Sequence, residues 1–119
     1  MRFRVEGLDH VAFGVGDQRA SEDWYREVLG LEREYADEWG DTPVAVMAQG
    51  SGLALFKAAD TSAGFRHLAF RVDRENFELA QDDLRSAGIP FKFQDHGVSH
   101  SIYFEDPDGV QLELTTYEV

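Results

Sequence analysis

A short apolar segment of this chain occurs twice, with nearly the same residues in each copy. Residues 10–15 read His-Val-Ala-Phe-Gly-Val, and residues 67–72 read His-Leu-Ala-Phe-Arg-Val. A repeat at a spacing of 57 residues predicts a fold built from two copies of one structural unit. Because each copy begins with a histidine, two symmetric strands could present two imidazoles to a single metal ion.

Composition and charge exclude several classes of protein. At 119 residues we expect one domain spanning residues 1–119, with a core of its own. The chain has no cysteine, which excludes zinc–thiolate, iron–sulfur and thiol-nucleophile chemistry by its own side chains. A net charge of −12 repels nucleic-acid phosphates and anionic lipid, so neither is expected as a partner. Without an apolar leader or an apolar run of ~20 residues, we expect a cytoplasmic protein with no membrane segment.

The first half of the chain, about residues 5–58, has the pattern of a β-α-β-β-β module. A strand is predicted over residues 8–15 from its alternating apolar positions. A helix capped by Asp17 or Ser21 follows and ends before Gly30. Its apolar side chains at helical spacing are Ala20, Trp24, Tyr25 and Val28. Three further β-prone runs complete the module, at residues 31–35, 44–48 and 53–57.

The second half, about residues 64–118, repeats this order. A strand is predicted over residues 66–72 and a helix over residues 74–87, ended by Gly88. The apolar face of this helix consists of Phe77, Ala80, Leu84 and Ala87. Further strands are predicted at residues 90–94, 101–105 and 110–116, with an Asp-Pro-Asp-Gly turn at 106–109 and a linker between the modules at 58–63. The fold class is therefore α+β, with two tandem βαβββ modules.

Extending the repeat to the last strand of each module predicts a metal site. Phe56 corresponds to Glu113, just as His10 corresponds to His67. Two histidines and one carboxylate are the ligands of the open-sided triad that Fe(II) favours, and Mn(II), Co(II), Ni(II) or Zn(II) can also use this set. Since Phe56 cannot bind a metal, coordination positions would remain open for substrate, as they do in catalytic sites.

The residues beside these candidate ligands are small, although core strands more often carry Val, Ile or Leu. They are Ala12, Gly14, Ala54 and Ala69. Small residues on the face of the candidate ligands favour a cavity there. Glu113 lies between two core-facing leucines, and its carboxylate needs solvent or a positive partner. The alternative interpretation is that the paired histidines are a relic of the duplication and serve only the structure.

These features resemble the vicinal oxygen chelate superfamily, which includes glyoxalase I, bleomycin-resistance proteins, fosfomycin-resistance thiol transferases and extradiol ring-cleavage dioxygenases. The resemblance rests on the paired H-x-A-F-x-V strands, the duplicated modules and the run Ser-Ile-Tyr-Phe-Glu-Asp-Pro-Asp-Gly-Val-Gln-Leu-Glu-Leu at 101–114. It covers essentially the whole chain. It implies a curved mixed sheet around a divalent metal, a small-molecule substrate and, in many members, a homodimer. Because one fold serves several reactions in this group, the site residues must separate its members.

Site residues argue against two of these members. Glyoxalase I has four protein ligands to its metal, and Phe56 occupies one of the corresponding positions. The fosfomycin thiol transferases carry His, His and Glu at positions matching the three candidate ligands. They also have a threonine two residues after the first histidine, where this chain has Ala12. They hold a phosphonate with basic and hydroxyl groups, of which this chain offers little besides Lys92.

The extradiol dioxygenases match more closely. Their signature is matched by His96, Ile102, Tyr103, Asp106, Pro107, Gly109 and Glu113. Gln94 departs from it, and Gly52 stands where those enzymes usually carry a further histidine. By this resemblance, the Tyr103 hydroxyl would bond a catecholate oxygen and His96 would donate a proton, so both are candidate catalytic residues. The alternatives are a structural, half-buried tyrosine and, for His96 and His100, a solvated loop.

We therefore predict a metal-dependent enzyme acting on a small molecule with neighbouring oxygens. One divalent ion (Fe, Mn, Zn, Ni or Co) would be bound by His10, His67 and Glu113. Extradiol-type dioxygenase chemistry is favoured, and glyoxalase-like lyase or isomerase chemistry is the alternative. A non-catalytic, bleomycin-type binding protein is the alternative from another class, because an acidic surface suits a cationic drug and Trp24 or Trp39 could stack on its rings.

Overall fold

A computed structural model describes residues 1–58, 65–105, 107 and 111–119. Its contacts divide the chain into two compact units. One unit, which we call the N-unit, is residues 10–66, and the other, the C-unit, is residues 67–119 together with residues 1–9. Except for Ala58 and Pro107, the predicted linker at 58–63 and the predicted turn at 106–109 lie outside the described residues.

The N-unit follows the predicted order of elements. Its elements are β1 (Gly7–Val15, entering from the C-unit), α1 (Gln18–Leu29), β2 (Glu32–Glu34), α2 (Ala36–Trp39), β3 (Val44–Ala48) and β4 (Ser51–Lys57). The strands are ordered β2-β3-β4-β1, with β1 parallel to β4 and the other pairs antiparallel. The run at 31–35 forms a shorter strand than predicted, because Tyr35 has a φ of 60° and leads into α2, which sequence analysis missed.

Helix α1 begins and ends where sequence analysis predicted. The Asp17 side chain accepts a hydrogen bond from the Ala20 amide, so Asp17 and not Ser21 is the cap. Gly30 closes the helix with a φ of 72°, a left-handed conformation that glycine adopts without steric cost. The expected single apolar face does not form, because Trp24 and Val28 are 53% and 57% exposed. Their neighbour Tyr25 does pack against the unit's core of Val15, Val44, Val46 and Leu55.

Gly52 on β4 is required by a close approach of the backbone of β3. A Cβ atom at this position would overlap the Val46 carbonyl oxygen and the Met47 Cα. The Met47 sulfur also lies in this volume, so any side chain at position 52 would have to displace β3. Gly52 pairs directly with His10 on β1, so the packing at this glycine affects the strand that carries a candidate ligand.

Gly52→Ala is expected to lower the free energy of unfolding by about 1–3 kcal/mol, because the β3 backbone must move to admit the methyl group. Urea unfolding monitored by circular dichroism measures this change. Gly16→Ala is the matched control, since a Cβ atom there meets nothing within 4 Å. Equal stability of the two variants would contradict the close approach.

The C-unit repeats the arrangement. Its elements are β5 (Phe65–Arg71, with its first two residues in the N-unit), α3 (Arg74–Ser86), β6 (Lys92–Asp95), β7 (His100–Glu105) and β8 (Gln111–Thr116). The strands are ordered β5-β8-β7-β6, with β5 and β8 parallel and the other pairs antiparallel. Helix α3 buries Phe77, Ala80 and Leu84 against the sheet, as predicted, whereas Ala87 lies past its end and is exposed. The α+β class, with two βαβββ modules and mixed strand pairing, is confirmed.

The first residues of the chain belong to the C-unit, which sequence analysis did not predict. The backbone N–H and the guanidinium of Arg2 donate hydrogen bonds to the Asp83 carboxylate on α3. The hydrogen bond from the backbone N–H holds the pKa of the Asp83 carboxyl below its usual range. Phe3 packs on the core beneath α3, and the Glu6 amide donates to the Arg71 carbonyl at 2.7 Å. Sequence analysis gave this segment no structural role, because its partner Asp83 lies 81 positions beyond Arg2 in the chain. Among the described residues, no helix is long and apolar enough to cross a membrane.

Candidate metal centre and its acid–base partners

Two of the three predicted metal ligands meet inside the C-unit. Ala69 on β5 pairs with Glu113 on β8, and His67 lies two residues before Ala69, on the same face of the sheet. The His67 Nε2 atom is 2.9 Å from the Glu113 Oε1 atom. Both residues are buried, at 8% and 2% exposure. Strand register therefore brings a nitrogen donor and an oxygen donor together away from bulk solvent.

The Glu113 carboxylate is held in place from a neighbouring strand. Ser101 on β7 is fully buried, and its hydroxyl donates a hydrogen bond of 2.6 Å to Glu113 Oε2. The same hydroxyl lies 3.1 Å from Thr115 Oγ1 on β8. Sequence analysis assigned no role to Ser101. Its position two residues before Tyr103 was the available signal, because alternate residues of a strand share a face.

Tyr103 lies beside this pair, directly opposite Glu113 in the β7–β8 register. Its ring packs edge-on against the His67 ring, with centroids 5.7 Å apart. Its hydroxyl oxygen is 2.8 Å from His96 Nε2. Burial, followed by the neighbouring Glu113 carboxylate, raises the pKa of Tyr103 above its usual range. The phenol therefore stays protonated through neutral pH and can donate a hydrogen bond.

The raised pKa of Tyr103 predicts a loss of stability in alkali. Above pH of about 10, the unfolded chain ionises this phenol while the folded chain keeps its proton, so unfolding becomes more favourable as pH rises. Wild type is therefore expected to lose more stability between pH 9 and 11 than Tyr103→Phe does. Urea unfolding of both proteins across this range measures the difference. Parallel pH profiles would contradict a raised pKa at this residue.

The two loop histidines that sequence analysis left open have different environments. His96 follows β6 in a turn that is closed by a hydrogen bond of 2.8 Å from the His96 backbone N–H to the Ser99 carbonyl. Its Nε2 atom lies within hydrogen-bonding distance of the Tyr103 hydroxyl. It is half-buried, so the solvated-loop alternative does not describe it. His100 begins β7 and contacts the Phe93 ring and, at 3.5 Å, the Asp95 carboxylate. Neither contact involves the residues around Glu113.

The third predicted ligand, His10, belongs to β1 and is the first residue of the N-unit. It is half-buried and pairs with Gly52. The next position on its face is Ala12, which pairs with Ala54 and is fully buried. Phe56, at the fourth symmetric position, has its ring covered by the Arg66 guanidinium 4.4 Å from the ring centroid. It offers no donor atom for a metal, as sequence analysis expected.

A cleft of about 630 Å³ opens beside Tyr103 at the end of the C-unit sheet. Its wall is apolar at Ile89, Phe91 and Phe104. Lys92 on β6 adds a positive charge and pairs with Tyr103 in the β6–β7 register. The cleft is large enough for a small aromatic or aliphatic molecule, and Tyr103 is one of its lining residues.

The donor atoms of the C-unit pair fit a divalent cation. Imidazole nitrogen and carboxylate oxygen are the ligand types that Fe, Mn, Co, Ni and Zn share. A carboxylate that is 2% exposed costs free energy unless a positive charge or hydrogen bonds compensate for its lost hydration. The burial of Glu113 beside an imidazole is therefore chemically consistent with metal binding.

Comparison with known proteins agrees with this architecture. The family model of the Glyoxalase/Bleomycin resistance protein/Dioxygenase superfamily matches residues 7–114. The chain belongs to this superfamily. The resemblance recognised in the paired strands and the closing motif is thereby confirmed, and the fold class follows from membership. Members of this superfamily bind divalent metal ions and act on small molecules.

Relatives of the chain within the superfamily are enzymes of several kinds. It is 30% identical to a glutathione transferase FosA of Serratia marcescens, over 92% of this chain and 80% of that protein. It is 31% identical to a biphenyl-2,3-diol 1,2-dioxygenase of Rhodococcus globerulus, over 88% of this chain and 60% of that one. The solved methylmalonyl-CoA epimerase of Mycobacterium tuberculosis superimposes with a TM-score of 0.74 at 25% identity, covering 98% and 91% of the two chains. These relatives indicate an enzyme, and they differ in reaction.

Proposed function

We propose that this superfamily member is a divalent-metal-dependent enzyme in which His10, His67 and Glu113 bind the metal. The observation that carries the proposal is the buried His67–Glu113 pair, with 2.9 Å between its donor atoms. His10 occupies the position that the duplication makes equivalent to His67, and the three side chains are a set of potential metal ligands. A metal held there would act as a Lewis acid on two neighbouring oxygens of a substrate.

The finer proposal is extradiol-type ring cleavage of a catechol-like substrate, in which Tyr103 and His96 act together. The protonated Tyr103 hydroxyl donates a hydrogen bond to a substrate oxygen that becomes negative during the reaction. His96 lies within hydrogen-bonding distance of the same hydroxyl and acts as the general acid that donates a proton to the oxyanion. The cleft lined by Tyr103 and Lys92 has volume enough for an aromatic ring, and Tyr103 is the residue that it shares with the surroundings of Glu113.

Thiol transfer is the second candidate, and the 30% identity to a glutathione transferase favours it. The same three metal ligands would serve, with the metal binding an electrophilic small molecule. Ala12 and the scarcity of basic residues remain the features that weigh against a phosphonate substrate. Epimerase-like or lyase-like chemistry is a further alternative, because it uses the same oxygen chelation and a structural relative is an epimerase.

One experiment separates these candidates. The purified protein is stripped of metal, reloaded in turn with Fe(II), Mn(II), Co(II), Ni(II) or Zn(II), and assayed with a panel of catechols by oxygen uptake. We expect oxygen uptake with Fe(II) or Mn(II) and none with the stripped protein. The same preparations are assayed for consumption of glutathione with fosfomycin and for proton exchange into methylmalonyl-CoA.

The outcomes are distinct. Flat oxygen traces with glutathione consumption would overturn the extradiol proposal in favour of thiol transfer, and proton exchange would favour the epimerase alternative. Absence of metal binding by the reloaded protein would overturn the whole proposal in favour of a bleomycin-type binding protein, which drug titration would then test.

We also propose that the protein is a cytoplasmic homodimer. Light scattering of the purified protein measures its mass and so tests the dimer.

A further inference from the structure

Asp9 is a buried carboxylate that the proposed chemistry does not use. It is 0% exposed, although it begins the apolar part of β1. The Tyr117 hydroxyl donates a hydrogen bond to Asp9 Oδ2 at 2.9 Å, and the Arg71 guanidinium lies 3.5 Å from Asp9 Oδ1. A buried carboxylate with an ion pair and a charge-assisted hydrogen bond is a specific, costly arrangement.

The partners of Asp9 belong to the strands that carry the other candidate ligands. Arg71 is the last residue of β5, which carries His67, and Tyr117 directly follows β8, which carries Glu113. The adjoining Glu118 is also anchored, because its carboxylate accepts a hydrogen bond of 3.0 Å from the Arg74 amide at the start of α3. The Asp9 carboxylate therefore connects β1 to the ends of β5 and β8 within the C-unit.

We propose that Asp9 is a positioning residue for the metal ligand that follows it in the chain, a role that rests on the proposed function. His10 is the next residue, and successive Cα atoms are separated by about 3.8 Å. Fixing Asp9 against Arg71 and Tyr117 therefore fixes the backbone from which the His10 side chain extends. The Tyr117–Asp9–Arg71 network pre-organises the His10 imidazole for metal binding.

Titration of metal-free protein with Mn(II) and with Co(II) by calorimetry tests this role. Tyr117→Phe removes the hydrogen bond while keeping the ring, and Asp9→Asn removes the charge with little change in shape. Each is expected to weaken metal binding by about 10-fold, which is the lower end of the effect of losing residues that orient ligands. If Asp9→Asn does not fold, Tyr117→Phe carries the test, and circular dichroism establishes that each variant is folded.

The matched control is Asp83→Asn. Asp83 on α3 is also a largely buried aspartate, and its carboxylate accepts hydrogen bonds from the backbone N–H groups of Arg2 and Phe3. It therefore anchors a segment of the C-unit, as Asp9 does. Its variant is expected to lower Tm without changing metal affinity, which separates positioning from general stability. Wild-type affinity in both Asp9→Asn and Tyr117→Phe would overturn the inference and leave the metal site standing. Failure of wild type itself to bind either ion would instead overturn the proposed function.

Discussion

Glu113→Gln is expected to weaken divalent-metal binding by more than about 100-fold and to abolish metal-dependent turnover. Loss of residues that only orient ligands already weakens binding by about 10- to 100-fold, so loss of the anionic ligand itself should exceed that range. The amide keeps the size of the side chain and can still accept the hydrogen bond of the Ser101 hydroxyl. The fold should therefore survive, which circular dichroism verifies while calorimetry with Mn(II) measures the affinity.

The control for this variant is Glu105→Gln on the adjacent strand. Glu105 is exposed and pairs with Gln111 in the β7–β8 register. Its substitution by glutamine removes one negative charge, as Glu113→Gln does. Its metal affinity should match that of wild type, because an exposed charge interacts weakly through water. If Glu113→Gln binds metal as tightly as Glu105→Gln does, Glu113 is not a ligand and the buried pair with His67 is purely structural.

Tyr103→Phe is expected to lower kcat by about 100- to 1,000-fold, with metal affinity close to that of wild type. The expected size is that of losing a positioned hydrogen-bond donor or general acid. KM should change little, because the ring that lines the cleft and packs against His67 is retained. Steady-state kinetics with the metal and substrate identified in the reloading experiment measure both constants.

Two comparisons make this result specific to Tyr103. Tyr25→Phe, whose ring packs in the N-unit core, should keep the wild-type kcat. His96→Gln should lower kcat, and the double variant of His96 and Tyr103 should be little slower than Tyr103→Phe alone, because groups acting as one unit are not additive. Additive losses in the double variant would show that the 2.8 Å contact is not a working acid–base pair.

Much of the fold could be predicted because it depends on local periodicity and on a repeat. The strand at Val44–Ala48 follows from a short β-prone run bounded by turn residues. The caps at Asp17 and Gly30 follow from the chemistry of helix ends, which neighbouring residues determine. The errors occur where distant parts of the chain decide the outcome. Trp24 has the spacing of a core residue and is exposed, since spacing identifies a helical face but not which face is covered.

In the candidate site, too, the residues could be predicted from the sequence, whereas the contacts between them could not. The repeat relates His10 to His67 and Phe56 to Glu113, and the donor atoms at three of these four positions led to the predicted ligand set. The resemblance to the extradiol signature, and not the repeat, pointed to Tyr103 and His96, without deciding whether their side chains touch. The 2.8 Å separation of these two side chains and the Ser101 hydrogen bond to Glu113 depend on the register of β7 and β8, which pairs residues that no local pattern relates.

The two-module plan, the fold family and the residue types available for metal chemistry can be deduced from the order of the amino acids, because all three depend on repeated local motifs. Which polar groups are buried together depends instead on how distant segments pack in the folded chain. Asp9 is an unremarkable acid in the sequence, yet folding places it out of solvent with Arg71 and Tyr117, the latter 108 positions along the chain. Such pairings arise from strand order and packing, and their cost in desolvation is met only when the whole C-unit assembles.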